Sequence, residues 1–270
     1  MLELLVAAEA ATENPAQTLL HHLADNYDWE SGNVHHLLGT WAWHGIDFTP
    51  TRMALMVMLS AVVLVAVLWA SMRRRGAVPR GRLQNTVEML FLFVRDEIAG
   101  QTIEHDAARY VPYLASTFFF ITVMNLSGLF PAGSTPTSNM NVTFVLAAVA
   151  FLMIQLAGIR SKGVAGFFKS LVPPGIPGWI YPLMLLVEIL GIFTKPFALM
   201  VRLFANMLAG HVGIYFIIGL IFIIHALGVA IPALALALAL LLLEIFICLL
   251  QAYIFTMLTS LFIGLSASEH

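Results

Sequence analysis

Glu188, Lys195 and Arg202 follow one another at intervals of seven in a stretch that is otherwise apolar, small or neutral. With Glu244 they are the four formally charged side chains between Lys169 and Glu269. A charge in hydrocarbon costs from about 3 to more than 10 kcal/mol, so four retained in such a stretch point to use. Arg202 is the most telling, because a guanidinium keeps its proton inside proteins. Seven residues carry an α-helix through about 700°, a drift of about 20° per step, so the three charges share a face. Asn206 lies about 40° away on it. His211, nine residues beyond Arg202, falls half a turn off unless the helix bends at Gly210. Glu244 and Gln251, again seven apart, share a face of the next helix. Two antiparallel helices bring such stripes together: the Glu244 carboxylate then meets His211 and the Gln251 amide meets Arg202, which lowers the desolvation penalty of each.

The chemistry this pattern suits is ion conduction. Glu and His titrate and pass protons, and Asn, Gln and water carry protons between them. A fixed guanidinium repels cations and blocks a direct leak. Plainer readings stand beside this one. Lys195 reaches equally well toward headgroups. Glu188 works as a structural acceptor, Glu244 with His211 as a buried structural pair, and Asn206 and Gln251 as interhelical glue. Asn125, Asn139 and Asn141 either line a wet vestibule or cap a turn. His225 reads as interfacial. The paired tail histidines, His21–His22 and His35–His36, lack the spacing of a metal site, so no metal or other cofactor is expected. Cys248 reads as a small core- or lipid-facing residue, and one cysteine forms no internal disulfide. No P-loop pattern occurs, so no nucleotide is an expected ligand, and no nucleic-acid partner is expected.

These residues must be positioned by a membrane fold. Of 270 residues 60% are hydrophobic and 10% charged, against about 25% charged in soluble domains. The expected fold class is an all-α integral membrane protein with about five crossings. Residues 1–50 form a polar tail of one or two short helices, with Trp29, Trp41 and Trp43 as interface anchors; the first ten residues do not read as a signal peptide. Residues 51–72 make the first crossing, long enough for a hydrocarbon core of about 30 Å. Residues 73–109 hold seven arginines and an amphipathic surface helix over 86–98. Residues 110–160 read as a hairpin, 111–130 and 142–160, turned by the Pro- and Ser-rich 131–141. Residues 178–268 hold two long helices, 181–225 and 232–266, about 65 and 50 Å long. They must tilt steeply or kink, with Gly191, Pro196, Gly210 and Gly213 as places to bend.

Ten of the thirteen Lys and Arg lie in 73–109 and 160–169. The positive-inside rule puts both segments in the cytoplasm, the N-terminus outside and the C-terminus in the cytoplasm.

The segment TKPFALMVRLFANMLAGH (194–211) resembles the signature of subunit a of the F-type ATP synthases. The stretch LEIFICLLQAYIFTMLTSLFIGLSASEH (243–270) resembles the end of that subunit, and VPRGRLQNTVEML (78–90), FFFITVMNLSGLFP (118–131) and NMNVTF (139–144) fit its pattern in order. The resemblance implies a non-catalytic stator subunit of a rotary motor in a bacterial inner membrane. Its implied partners are a ring of c subunits, the b-subunit peripheral stalk, the remaining synthase subunits, the bilayer and protons. It implies that Arg202 faces the ring carboxylates, supported by Asn206 and Gln251. Glu188 would line a cytoplasmic half-channel, and His211 and Glu244 one open to the outside. One common bacterial version carries Glu in the first long helix and His in the last; His211 and Glu244 reverse it, as a touching pair can. Gly128 stands where some members carry Asp.

Two other functions fit parts of this pattern. A secondary transporter or antiporter binding substrate through Glu188, Arg202 and Glu244 would show internal repeats, and none is found; it would also move ions unaided, whereas a stator is inert without its ring. A membrane scaffold would keep coupled pumping when Arg202 is replaced.

Overall fold

The computed structural model describes residues 52–72, 81–103, 106–129, 136–170, 180–224 and 227–268, and two small antiparallel pairings in the tail, Asp28–Trp29 with Gly32–Asn33 and Ala42–Trp43 with Ile46–Asp47. The short helices expected of the tail, its paired histidines, the side chains of its tryptophans and His225 lie outside the described residues.

The chain is an all-α multi-pass membrane protein. Among the described residues five helices are long and apolar enough to cross a bilayer. Helix α1 spans Arg52–Met72. Helix α2, Arg82–Leu92, runs on through a π-helical stretch, Phe93–Ala99, to Gly100–Thr102. Helices α3 (Ala107–Ser127) and α4 (Met140–Ser170) flank a single 3₁₀ turn, Pro136–Ser138. Helix α5 covers Tyr181–Ile224, 44 residues, and α6 covers Leu227–Ala267, 41 residues.

The second helix of the hairpin breaks at Gly163, close to its expected end near 160, and a further helical segment runs on to Ser170. Gly163 interrupts α4 with φ +72°, a left-handed conformation that costs glycine little. Helix α6 begins at Leu227, five residues ahead of Pro232, so this proline lies in its second turn and not at its start. Helix α5 is continuous through Gly191, Pro196, Gly210 and Gly213.

The surface helix carries a feature that hydrophobic spacing alone did not predict. In its π-helical stretch Val94, Ile98 and Ala99 are fully buried while Arg95, Asp96 and Glu97 face out. Arg95 donates to both Asp96 oxygens, at 2.7 and 3.0 Å, and that hydrogen bonding holds the Asp96 carboxyl below its ordinary range.

The residues group into two compact units. The first comprises Met1–Leu64, Thr122–Asn139 and Phe204–Leu250; the second comprises Val65–Ile121, Met140–Leu203 and Gln251–His270. In the first, Met53, Met124, Met207, Ala237 and Cys248 are buried. In the second, Leu114, Ile121, Leu199, Leu203, Phe255 and Ile263 are buried. Along α6 Ala233, Ala237, Glu244, Cys248, Gln251, Phe255, Thr259 and Ile263 are buried at spacings of three, four or seven, and buried Ala252, Thr256 and Ser260 widen the stripe toward its end. This stripe holds small and polar residues, as packing in lipid favours, while Leu234, Leu238, Leu242 and Phe246 face outward.

Small residues set close approaches within the second unit. A Cβ at Gly264 would collide with the backbone carbonyl of Thr102, and one at Gly158 with the hydroxyl of Ser266. The Thr102 and Ser260 hydroxyls are hydrogen-bonded at 2.5 Å. Ser161 donates to the Ala267 carbonyl at 2.7 Å. The end of the surface helix and the part of α4 just before Gly163 are thereby both fastened to the last turns of α6.

Candidate proton-transfer site

In the first unit, His211 on α5 and Glu244 on α6 meet. Nδ1 of His211 stands 2.7 Å from Oε1 of Glu244 and 3.1 Å from the Met207 carbonyl oxygen. The backbone of Gly128 is also hydrogen-bonded to the imidazole. Glu244 is 4% exposed and His211 half-buried. Gly210 makes the approach possible, since a Cβ there would lie 2.9 Å from Oε1 and 3.2 Å from Cδ of Glu244. A carboxylate and an imidazole both take up and release protons, and here they stand at ion-pair distance.

Asn125 sits in the same unit, fully buried. Its Nδ2 donates to the Cys248 carbonyl at 3.2 Å and its Oδ1 accepts from the Thr137 hydroxyl at 2.8 Å. The Cys248 thiol points back to the Asn125 carbonyl at 3.7 Å. A buried amide with both ends satisfied ties the hairpin turn to α6 one helical turn beyond Glu244. Of the other two asparagines singled out above, Asn139 is buried and Asn141 exposed.

In the second unit, Glu188 and Lys195 line a cavity of about 200 Å³ with Gln155, Lys162, Phe262 and Ser266. The ammonium of Lys195 stands 5.4 Å from the centre of the Phe262 ring. This places Lys195 on an aromatic face, a contact attractive to a desolvated cation. Glu188 is half-buried.

Arg202, in the second unit, projects from α5 with its side chain exposed, and Asn206, one turn on, is exposed too. The described ion pairs are Arg95–Asp96 and His211–Glu244, and neither involves Arg202. The meeting of the Gln251 amide with Arg202 expected from the shared spacing is absent among the described hydrogen bonds. Gln251 is 1% exposed, in the packed stripe of α6, whereas Arg202 faces outward. Spacing along each helix ranks the residues of a face but does not say which stripe a neighbouring helix covers.

Spacing alone also missed several participants. Gly210 stood out only as a bend, yet its role is to admit Glu244. Thr137 looked like a turn former, and Lys162 like one more residue of a basic loop. Gln155 and Phe262 carried no signal, because a polar or aromatic residue in a membrane helix acquires meaning from what faces it.

The profile of a family described as ATP synthase A chain matches residues 53–264. The chain is similar to ATP synthase subunit a of Anaeromyxobacter sp. (strain Fw109-5), 48% identical over 229 residues that cover 83% of this chain and 56% of that protein. It is 46% identical to ATP synthase subunit a of Myxococcus xanthus (strain DK1622) over 83% of this chain and 74% of that protein. Against ATP synthase subunit a of Anaeromyxobacter dehalogenans (strain 2CP-C) it is 42% identical over 96% of this chain and 72% of that protein. The chain thus spans little more than half the length of the first of these relatives.

Proposed function

The chain belongs to the ATP synthase A chain family, and from that premise we propose that it is the proton-translocating stator of a rotary F-type ATP synthase in a bacterial inner membrane. The observation that carries this reading is the exposed guanidinium of Arg202, on a face of a membrane helix, with no carboxylate of a described residue within 4.0 Å. Such a cation in hydrocarbon needs a counter-charge from outside the chain. Carboxylates on a ring of c subunits supply it one at a time.

Protons enter from outside through the His211–Glu244 pair and neutralise a ring carboxylate. The neutral site is no longer costly to carry through lipid, and the ring turns. After nearly a full rotation the site releases its proton into the half-channel that Glu188 lines, and returns ionised to Arg202. The arginine keeps the two half-channels from joining, because a permanent positive charge repels a proton moving directly between them. Each charge that crosses the potential releases about 2.3 kcal/mol per 100 mV, which the ring delivers as torque for ATP synthesis elsewhere in the complex. Asn206 supports the arginine face directly and Gln251 from within the packed stripe of α6, and Asn125, Asn139 and Asn141 support the outer end. The b-subunit peripheral stalk holds the stator against the turning ring. The N-terminus lies outside and the C-terminus in the cytoplasm. The chain itself performs no chemistry on ATP.

The test is crosslinking in the assembled complex. A cysteine at Asn206 or one residue from Arg202 should form disulfides with cysteines placed beside the ring carboxylates. Labelling of these positions by lipid probes alone, with no ring adduct, overturns the proposal.

A further inference from the structure

The second unit contains a second cavity, of about 480 Å³, whose character is different. It is a groove between α4 and α5, walled by Phe144, Ala148, Phe151, Phe193, Phe197 and Met200. Its volume falls within the range of about 300–1,000 Å³ that holds small molecules. Phe144, Phe193 and Phe197 are 61%, 62% and 60% exposed, so the groove opens outward. Phe193 lies nine residues before Arg202, about 180° around the helix. The groove therefore faces away from the surface on which Arg202 is presented.

The groove adjoins the polar cavity, and Phe151 and Pro196 line both. The polar end holds Lys162, Lys195 and Glu188, two ammonium groups against one carboxylate, which leaves one positive charge. Among the described residues neither lysine has a carboxylate within 4.0 Å. From Leu190 to Met200 the groove follows α5 for about 15 Å, half of a hydrocarbon core of about 30 Å. That is the depth of one leaflet.

We infer that this paired cavity is a binding site for one anionic phospholipid of the surrounding bilayer. The phosphodiester sits beside Lys162 and Lys195, completing the charge balance that Glu188 leaves short by one. One acyl chain lies in the aromatic groove. Two lysines on neighbouring helices are the donors such a headgroup needs. A net positive charge beside an apolar groove one leaflet long favours a lipid over a neighbouring protein helix, which would run past both.

The experiment uses the intact synthase in its native membrane, with a phosphatidylglycerol and a phosphatidylcholine that each carry a photoreactive diazirine near the chain end. The phosphatidylglycerol probe should label residues 144–151 and 190–200 in preference to the phosphatidylcholine probe. Lys162→Gln should lower that preference about fivefold, and Ala148→Trp should remove labelling by both probes. If Ala148→Trp fails to assemble, the Lys162→Gln ratio decides alone. Equal labelling by the two probes, or a preference unchanged in Lys162→Gln, overturns the assignment. A cysteine at Ala148 that crosslinks to another subunit of the complex also overturns it, in favour of a protein occupant.

Discussion

Gly210 and Glu244 are in contact across two helices: a Cβ on the glycine would stand 2.9 Å from Oε1 of the carboxylate. The same carboxylate oxygen is 2.7 Å from Nδ1 of His211, the next residue. Glu244 is thus held between an acid–base partner and a patch of bare backbone. Gly210→Val should push the carboxylate off the imidazole. Overpacking of this kind costs about 1–3 kcal/mol, and proton uptake by vesicles should fall at least tenfold. Shortening the acid in Gly210→Val with Glu244→Asp should recover part of the loss. No recovery in the double variant, measured by ATP-driven vesicle acidification, would assign the defect to the helix rather than to the pair.

The pair itself predicts a compensated exchange. His211→Glu alone places two carboxylates together and Glu244→His alone places two imidazoles together, and each should impair proton transport. The double exchange restores an imidazole opposite a carboxylate and should outperform both single variants. Strictly additive losses would mean that the contact is not what transport uses.

Arg202 is expected to be intolerant of lysine although charge is retained. The planar fork of guanidinium accommodates an approaching carboxylate from two donors at once, and an ammonium does not. Arg202→Lys should abolish ATP-driven pumping, and Arg202→Ala should in addition open a passive proton leak across energised vesicles. Normal coupled pumping in Arg202→Lys would contradict the proposed gate.

Asn125 should matter for the packing of α6. Asn125→Leu leaves the Thr137 hydroxyl without its acceptor and the Cys248 carbonyl without this donor, at about 1–3 kcal/mol for each buried polar group. The thiol of Cys248, 0% exposed in the folded chain, reports the loosening directly. Its reaction with a maleimide in the detergent-solubilised complex should become at least about fivefold faster. An unchanged rate would mean that the helix is held elsewhere.

The close contact of Gly264 with the Thr102 carbonyl is with backbone, which cannot swing aside. Gly264→Ala should lower stability by about 1–3 kcal/mol and reduce the Tm of the purified subunit. Gly191→Ala is the control, because nothing lies within 4 Å of a Cβ there and alanine favours helix. Equal Tm values for the two variants would remove the glycine contact as a determinant of how the surface helix is held.

The sequence by itself determined the class of the protein and the cast of its site. Uncharged runs matched to bilayer thickness marked the crossings, from Met53–Met72 to the two long helices, because hydrocarbon excludes charge wherever the chain passes through it. Glu188, Lys195, Arg202 and Glu244 stood out for the same reason. Only the tertiary structure decided who meets whom. It brought His211 to Glu244 and Asn125 to Cys248. It turned Gln251 inward and left Arg202 outward, although equal spacing had suggested that those two meet. It drew Lys162 into the cavity of Glu188 and gave Gly210 and Gly264 their purpose. Periodicity along a helix records angles about one axis, whereas contact depends on the position and rotation of a second helix, and these are set by the small residues at which two backbones can come close.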